Sequence, residues 1–124
     1  MATPRPCPCG APAPYDACCG PAHGGEAPAA TAEALMRSRY SAFVLRDVAY
    51  LLASWHPSTR PKKLTLDPDT RWVGLEVLSA SGGVFDTAGI VEFRATHQVG
   101  VQTERSHFVR EGGRWYYVDG VSAR

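Results

Sequence analysis

The stretch "ERSHFVREGGRWYYVDG", residues 104–120, decides the fold. On both sides of Gly112-Gly113 polar and apolar residues alternate, and aromatic and β-branched residues are frequent, which is typical of strands. A Gly-Gly connection between two such segments is a strong hairpin signal, because both turn positions favour a positive φ. The chain is therefore predicted to end in an antiparallel hairpin.

Two segments upstream have the same period, "RWVGLEVLSA" (71–80) and "TAGIVEFRATHQ" (87–98). Before them, apolar residues follow helical spacing. This pattern predicts a helix that begins after Thr31 and a shorter one, capped by Asp47, that ends before Pro57. Two helices followed by about four antiparallel strands indicate an α+β domain in which a curved sheet wraps around the first helix.

Strand parity predicts which side chains share a face of this sheet. The face that carries Phe93 is the natural inner one. Which set of the last strand joins it stays open, either Trp115, Tyr117 and Asp119 or Tyr116 and Val118. Asp119, close to the final glycine, is predicted to be a turn residue.

The stretch "CPCGAPAPYDACCG", residues 7–20, contains all four cysteines of the chain. Two disulfides would be short-lived in a reducing compartment, and a redox pair would lack the usual C-x-x-C spacing. A single structural Zn²⁺ uses four protein ligands, and it supplies folding energy to a segment with few apolar residues. The favoured interpretation is one structural zinc ion bound by four thiolates, those of Cys7, Cys9, Cys18 and Cys19. His23 lies near enough to replace one sulfur, although a loop position is the favoured interpretation for it.

The run "GPAHGGEAPAA", residues 20–30, is rich in Gly, Pro and Ala and predicts a connection. It divides the chain into a zinc-binding segment with its linker, 1–24, and an α+β domain, 25–124. No stretch reaches the roughly 20 apolar residues of a membrane span, and the N-terminus lacks the apolar core of a signal peptide. We therefore expect a cytoplasmic protein without membrane contact.

Charge is balanced overall but uneven along the chain. The 124 residues carry a formal net charge of +1, whereas residues 37–63 alone carry +5. Such a block can attract nucleic acid or the ribosome, but a solvated helix face is the favoured interpretation. An exposed sheet edge also permits a homodimer.

The cysteine pattern resembles a known metal-binding motif. C-x-C-x8-C-C, with Gly10 after the first pair and Tyr15 three residues before the second, is similar to the SEC-C motif. The resemblance covers about residues 6–20 and implies zinc binding and a contact surface. The motif commonly carries lysines where this chain reads "APAP", so the resemblance gives little support to ribosome docking.

Four phrases together resemble a family over nearly the whole chain: "CPCG…YDACCGP", "LMRSRYSAFVL", "YLLASWHPSTRP" and "ERSHFVREGGRWYYVDG". They are similar to the YchJ family of uncharacterised bacterial proteins. This resemblance implies an NTF2-like fold, a cone in which a curved antiparallel sheet wraps around helices. It implies no established activity.

Two functional hypotheses remain for the cone. The favoured one is a binding or adaptor module that takes a small molecule or a protein partner in its cavity, with a zinc segment that is structural or contacts a partner. The alternative is a small enzyme of the isomerase, dehydratase or hydrolase kind that NTF2-like cones host. Its acid and base would be His56 and Glu104, unless His56 only caps its helix and Glu104 only pairs with Arg37 or Arg39. The remaining candidates are an anion holder, Arg39 or Arg105, and the pocket walls Trp55, Arg105, Trp115 and Tyr117.

Overall fold

The computed structural model of the chain describes residues 5–122. A short 3₁₀ turn, Tyr15–Ala17, precedes three helices and four strands. The helices are α1 (Gly20–Gly24), α2 (Ala32–Leu45) and α3 (Val48–Ala53); the strands are β1 (Trp72–Ala80), β2 (Ala88–His97), β3 (Gly100–Glu111) and β4 (Arg114–Ser122). The predicted α+β class and the order of its main elements are confirmed.

The four strands form one antiparallel sheet in the order β1-β2-β3-β4, so each strand pairs with its neighbour in sequence. In the β3–β4 hairpin Glu111 faces Arg114 across the turn. Gly112 and Gly113 have φ values of 58° and 80°, the positive values that a primed turn requires. The hairpin predicted from residues 104–120 is present.

Side chains cap the two longer helices as the sequence predicts. Thr31 Oγ1 accepts a hydrogen bond from the backbone N–H of Ala34 at 3.0 Å, and Asp47 Oδ1 accepts one from Tyr50 at 3.0 Å. The segment predicted as a connection, residues 20–30, contains the five-residue helix α1. Within residues 5–122 no helix is long and apolar enough to span a bilayer.

Helix α2 packs against the inner face of the sheet and forms the core there. Leu35 and Met36 contact Val91, Phe108 and Trp115, all of them buried. These contacts fix α2 on the concave side of the sheet, where the wall of a cone is expected.

A β-bulge in the last strand pair settles which side chains of β4 face inward. Phe108 pairs with Tyr117 but His107 pairs with Asp119, so one extra residue lies in β4 between them. Tyr117 consequently shares the inner face, whereas the Asp119 carboxylate lies 2.7 Å from His107 Nδ1 on the outer face. Asp119 is thus a strand residue and not the predicted turn residue.

Candidate metal centre and ligand cavity

Two local turns bring the four cysteines together. Pro6 and Pro14 form an isolated antiparallel bridge that closes the loop between them. Gly10, with φ of 85°, donates its N–H to the Cys7 carbonyl at 3.2 Å and turns the chain after the first cysteine pair. The 3₁₀ turn then places the second pair opposite the first, with Cys18 N–H donating to Tyr15 O at 3.1 Å.

The four sulfur atoms have the spacing of a tetrahedral metal site. They all lie within 4.8 Å of one another, and Cys9 Sγ is 3.6 Å from Cys18 Sγ. Zn–S bonds of about 2.3 Å place sulfurs about 3.8 Å apart in a tetrahedron. All four cysteines are free, and Cys7, Cys9 and Cys19 are buried. The set therefore fits one metal ion with no open position, and it does not show the disulfides considered as an alternative.

Helix α2 supports this cluster through one buried hydroxyl and one guanidinium. Ser41 Oγ lies 3.6 Å from Cys7 Sγ and donates to Cys19 Sγ at 3.3 Å. Arg37, held by Glu33, donates from Nη1 to the Cys9 carbonyl at 3.1 Å. The cysteine segment is thereby fixed to α2, and its buried cysteines form one cluster with Tyr40 of that helix and Ala95 of β2.

The thiols have different proton affinities. Burial raises the pKa of Cys7, but hydrogen bonds from the Cys9 backbone and Ser41 outweigh it and bring the pKa to about 7. Burial raises the pKa of Cys18 to about 12, and it also raises that of Cys19 well above its ordinary value. A cation at the centre would stabilise the thiolates that burial disfavours, since metal binding releases the protons.

His23 does not take part in the cluster. It lies in α1, where its Nε2 is 2.7 Å from the Ser38 carbonyl and its Nδ1 is 2.6 Å from the Tyr15 hydroxyl. A carbonyl only accepts, so Nε2 donates and Nδ1 accepts from Tyr15 in the neutral ring. With both nitrogens bound, His23 joins α1 to α2 and is neither a metal ligand nor the predicted loop residue.

A cavity of about 290 Å³ lies between α2 and the inner face of the sheet. Aromatic and apolar side chains form most of its wall, and a few polar groups project into it. Its lining comprises Met36, Arg39, Tyr40, Phe43, Trp55, Trp72, Phe93, Ala95, Gln102, Glu104, Ser106, Phe108 and Tyr117. This combination is typical of small-molecule sites, and the volume lies just below their usual range of about 300–1,000 Å³.

Arg39 is the buried cation of the cavity. Its side chain is 6% exposed, and its Nη1 donates to the Leu51 carbonyl at 2.7 Å and to Ser54 Oγ at 2.6 Å. The guanidinium lies over the ring of Tyr117 at 4.4 Å and that of Trp55 at 5.3 Å. Burial lowers its pKa to about 10, so it remains charged at neutral pH.

Glu104 places a carboxylate in the same cavity. Burial raises the pKa of this group, against the opposing effects of Arg39 and Ser106. The carboxylate occupies space over Gly120, where any Cβ would clash with it. Arg39 and Glu104 line the same cavity but form no salt bridge within residues 5–122. The predicted Arg–Glu ion pair is therefore absent there.

The structure corrects three of the predicted site residues. His56 lies outside the cavity. Its ring packs against Tyr116, and its Nδ1 accepts a hydrogen bond from the backbone N–H of Ser58. The ring therefore neither caps the preceding helix nor contacts Glu104. Arg105 is exposed on the outer face opposite Glu92, because it alternates with Glu104. Trp115 is buried in the core and donates to Ala30 O at 3.2 Å, beside a second, more polar cavity. The proposed His56–Glu104 acid–base pair therefore does not form.

Most of the basic block serves internal contacts. Besides Arg37 and Arg39, Arg46 donates to the carbonyls of Asp67, Pro68 and Thr70, and Arg60 Nε donates to Trp55 O at 2.9 Å. These bonds hold the polar connection that follows α3. The predicted solvated helix face is wrong for Arg39, which is buried, and Arg37 also makes internal hydrogen bonds.

Sequence reasoning missed several functional positions. Ser41 lies off the apolar stripe of α2, and its burial results from the cysteine segment on the second face of that helix. Trp72, Gln102 and Ser106 line the cavity, and strand parity with Phe93 and Glu104 was the signal that could have identified them.

A four-cysteine SEC-C-like segment joined to an NTF2-like cone is the class of protein that this fold and site define. A family model described as the YchJ middle NTF2-like domain matches residues 31–120. A UPF0225 protein of Streptomyces coelicolor is 58% identical over 97% of both chains, and one of Chromobacterium violaceum is 53% identical over 94% of this chain and 93% of its own. The chain belongs to the YchJ family of UPF0225 proteins, which confirms the resemblance seen in the sequence.

Two solved structures are similar over nearly the whole chain. The solution structure of a SEC-C motif containing protein from Rhodopseudomonas palustris has a TM-score of 0.82 and 35% identity, over 95% of this chain and 98% of that one. The crystal structure of a SEC-C motif containing protein from Psychrobacter arcticus has a TM-score of 0.75 and 32% identity, over 95% and 82%. The family model begins at residue 31, and the division into 1–24 and 25–124 stays a prediction.

Proposed function

We propose that this protein binds a small molecule in its cone cavity and that one Zn²⁺ on the N-terminal thiolates stabilises the fold. The observation that carries the proposal is the aromatic cavity with Arg39 buried in its wall. Two of the guanidinium nitrogens, Nε and Nη2, make no hydrogen bond within residues 5–122, and neither is a fully buried unbonded atom, so both are accessible from the cavity. A ligand acceptor placed there would replace water on a charged donor.

Zinc is the metal that this donor set favours. Four thiolates in a tetrahedral arrangement are a closed structural site, whereas a catalytic site keeps one position for water or substrate. Thiolates also disfavour Mg²⁺ and Ca²⁺, which take oxygen ligands. The ion therefore holds the segment in place and carries out no reaction of its own.

Helix α2 connects the metal site with the cavity. Ser41 contacts the cysteines, whereas Arg39 and Tyr40 of the same helix line the cavity. Loss of the ion would loosen α2, one wall of the cone, without removing a group that lines the cavity. We expect chelation to lower the melting temperature while the cavity keeps its chemical preference.

Native mass spectrometry of the protein purified from its own cells tests both parts. We expect one zinc ion per chain, absent from Cys9→Ser, together with a small-molecule adduct. Gln102→Phe should close the cavity mouth and remove the adduct, whereas Thr103→Phe, one residue on and on the other face, should keep it.

Each part of the proposal can fail separately. One zinc ion without an adduct would contradict small-molecule binding and favour a protein partner. A chain without zinc and lighter by the mass of four hydrogens would contain two disulfides and would contradict the metal site.

A further inference from the structure

We infer that the cavity takes a planar, uncharged ring whose edge carries a C=O acceptor next to an N–H donor, as in a lactam. This inference rests on the proposed function and specifies its ligand class. The donor and acceptor requirements come from Arg39 and Glu104, and the ring requirement comes from the aromatic wall around them.

Arg39 offers two nitrogens to a ligand acceptor, since neither is among the fully buried unbonded atoms of residues 5–122. Leu51 O and Ser54 Oγ engage only Nη1, so the N–H groups of Nε and Nη2 find no partner in residues 5–122. Arg39 is only 6% exposed, and it lines the cavity. A ligand carbonyl placed there accepts from a charged donor, which forms a stronger hydrogen bond than a neutral one.

Glu104 requires a donor. An ionised carboxylate only accepts, and this one has the Ser106 hydroxyl on one side and Gly120 beneath it. Glu104 lines the cavity together with aromatic residues, among them Phe93, which faces it in register on β2. A ligand N–H in that position satisfies an acceptor that the cavity otherwise leaves partly desolvated.

The two charges together select against charged ligands. A ligand carboxylate that reached Arg39 would meet the Glu104 carboxylate, and a ligand cation that reached Glu104 would meet the guanidinium. Both groups line the same cavity, and each acts on the pKa of the other. An uncharged edge with both a donor and an acceptor meets both groups without repulsion.

The aromatic wall selects a flat ring. Trp55 and Tyr117 lie with ring centroids 5.1 Å apart at 81°, and Phe108 packs on Tyr117. Trp72 and Phe43 form another edge contact, with centroids 6.5 Å apart. Such a wall offers both ring faces and ring edges to a planar ligand, a favourable geometry for aromatic contacts.

Four probes with one bicyclic skeleton test this inference on the zinc-loaded full chain. They are 2-quinolone, N-methyl-2-quinolone without the donor, quinoline-2-carboxylate as the anion and N-methylquinolinium as the cation. Binding is followed by NMR of the three tryptophan indole N–H signals. Trp55 and Trp72 line the cavity, whereas Trp115 lies outside it and serves as an internal control.

We expect 2-quinolone to bind most tightly and to shift the Trp55 and Trp72 signals only. N-methyl-2-quinolone should bind about tenfold more weakly, since one hydrogen bond to a charged group is lost. Glu104→Gln should weaken 2-quinolone binding by about tenfold as well, whereas Glu76→Gln on an exposed strand position should not change it.

Tighter binding of the anion or the cation, with the same two signals shifted, would overturn the ligand class and leave the proposed function intact. Equal binding of 2-quinolone and its N-methyl derivative would remove the role of Glu104. If no probe shifts Trp55 or Trp72, both the ligand class and the small-molecule function are contradicted.

Discussion

Arg39 gives the sharpest test of the energetics, because replacing it with Lys should be worse than replacing it with Met. The lowering of its pKa from 12.5 to about 10 corresponds to about 3 kcal/mol of unfavourable burial. Arg39→Met removes this term and fills the space, but it loses two hydrogen bonds from a charged donor, each about 1.5–3 kcal/mol. It also loses the contact with the Tyr117 ring, about 1 kcal/mol. We expect a net destabilisation of about 2 kcal/mol.

Arg39→Lys keeps a buried charge and loses the planar fork. The ammonium ends one bond short of the Nη1 position, so it cannot replace both bonds to Leu51 and Ser54. It is also more strongly hydrated than a guanidinium, which makes its burial more costly. We expect Arg39→Lys to lower the free energy of unfolding by about 3–4 kcal/mol at pH 7.

Urea denaturation followed by far-ultraviolet circular dichroism, with zinc in excess, measures both variants without relying on tryptophans near the substitution. The reasoning requires Arg39→Lys to be less stable than Arg39→Met by at least about 1 kcal/mol. If Arg39→Lys proved equal to the wild type, or more stable than Arg39→Met, the guanidinium would not be held as described.

Three further predictions concern stability. Gly89→Ala should destabilise the fold by about 3 kcal/mol in urea denaturation, because the new Cβ would clash with Ser81 O and lie 2.8 Å from Gly82 Cα. In the control variant Gly74→Ala, also on a strand, the new Cβ meets only the Thr96 side chain at 3.7 Å, so stability should not change. Thr31→Ala should cost about 1 kcal/mol through the lost cap, and an unchanged stability would show that the cap is dispensable. Burial raises the pKa of Glu104 in the folded state, so wild-type stability falls as pH rises from the ordinary glutamate pKa of 4.5 to the raised pKa of the folded state, and Glu104→Gln should gain stability relative to wild type over that range of pH. Melting temperatures across that range check this, and a constant difference would contradict it.

The sheet and the longer helices could be predicted because local patterns determine them. The Gly112-Gly113 turn specifies its hairpin, and Thr31 and Asp47 mark helix starts that depend on neighbouring residues only. The bulge after His107 could not be predicted, because it arises from how two strands fit together. One extra residue there separates Asp119 from Tyr117, although strand parity groups the two on one face.

The site shows the same division between local and tertiary information. The cysteines were identified from their spacing, since the ligands lie within thirteen residues of sequence, 7–19. The cavity residues come from different elements, so their grouping depends on packing. His56 was chosen for its chemistry, yet the backbone N–H of this residue bonds the Tyr117 carbonyl at 2.7 Å and its ring points away from the cavity.

The sequential order of the strands also has a kinetic consequence. Each strand pairs with the next one along the chain, so the sheet forms by closing short loops, which carry a small entropic cost and favour fast folding. None of these pairings involves the residues that carry the thiols. We therefore expect newly made chains to build the sheet before any metal arrives, and the ion to act late, by fixing residues 7–19 on a helix that is already docked.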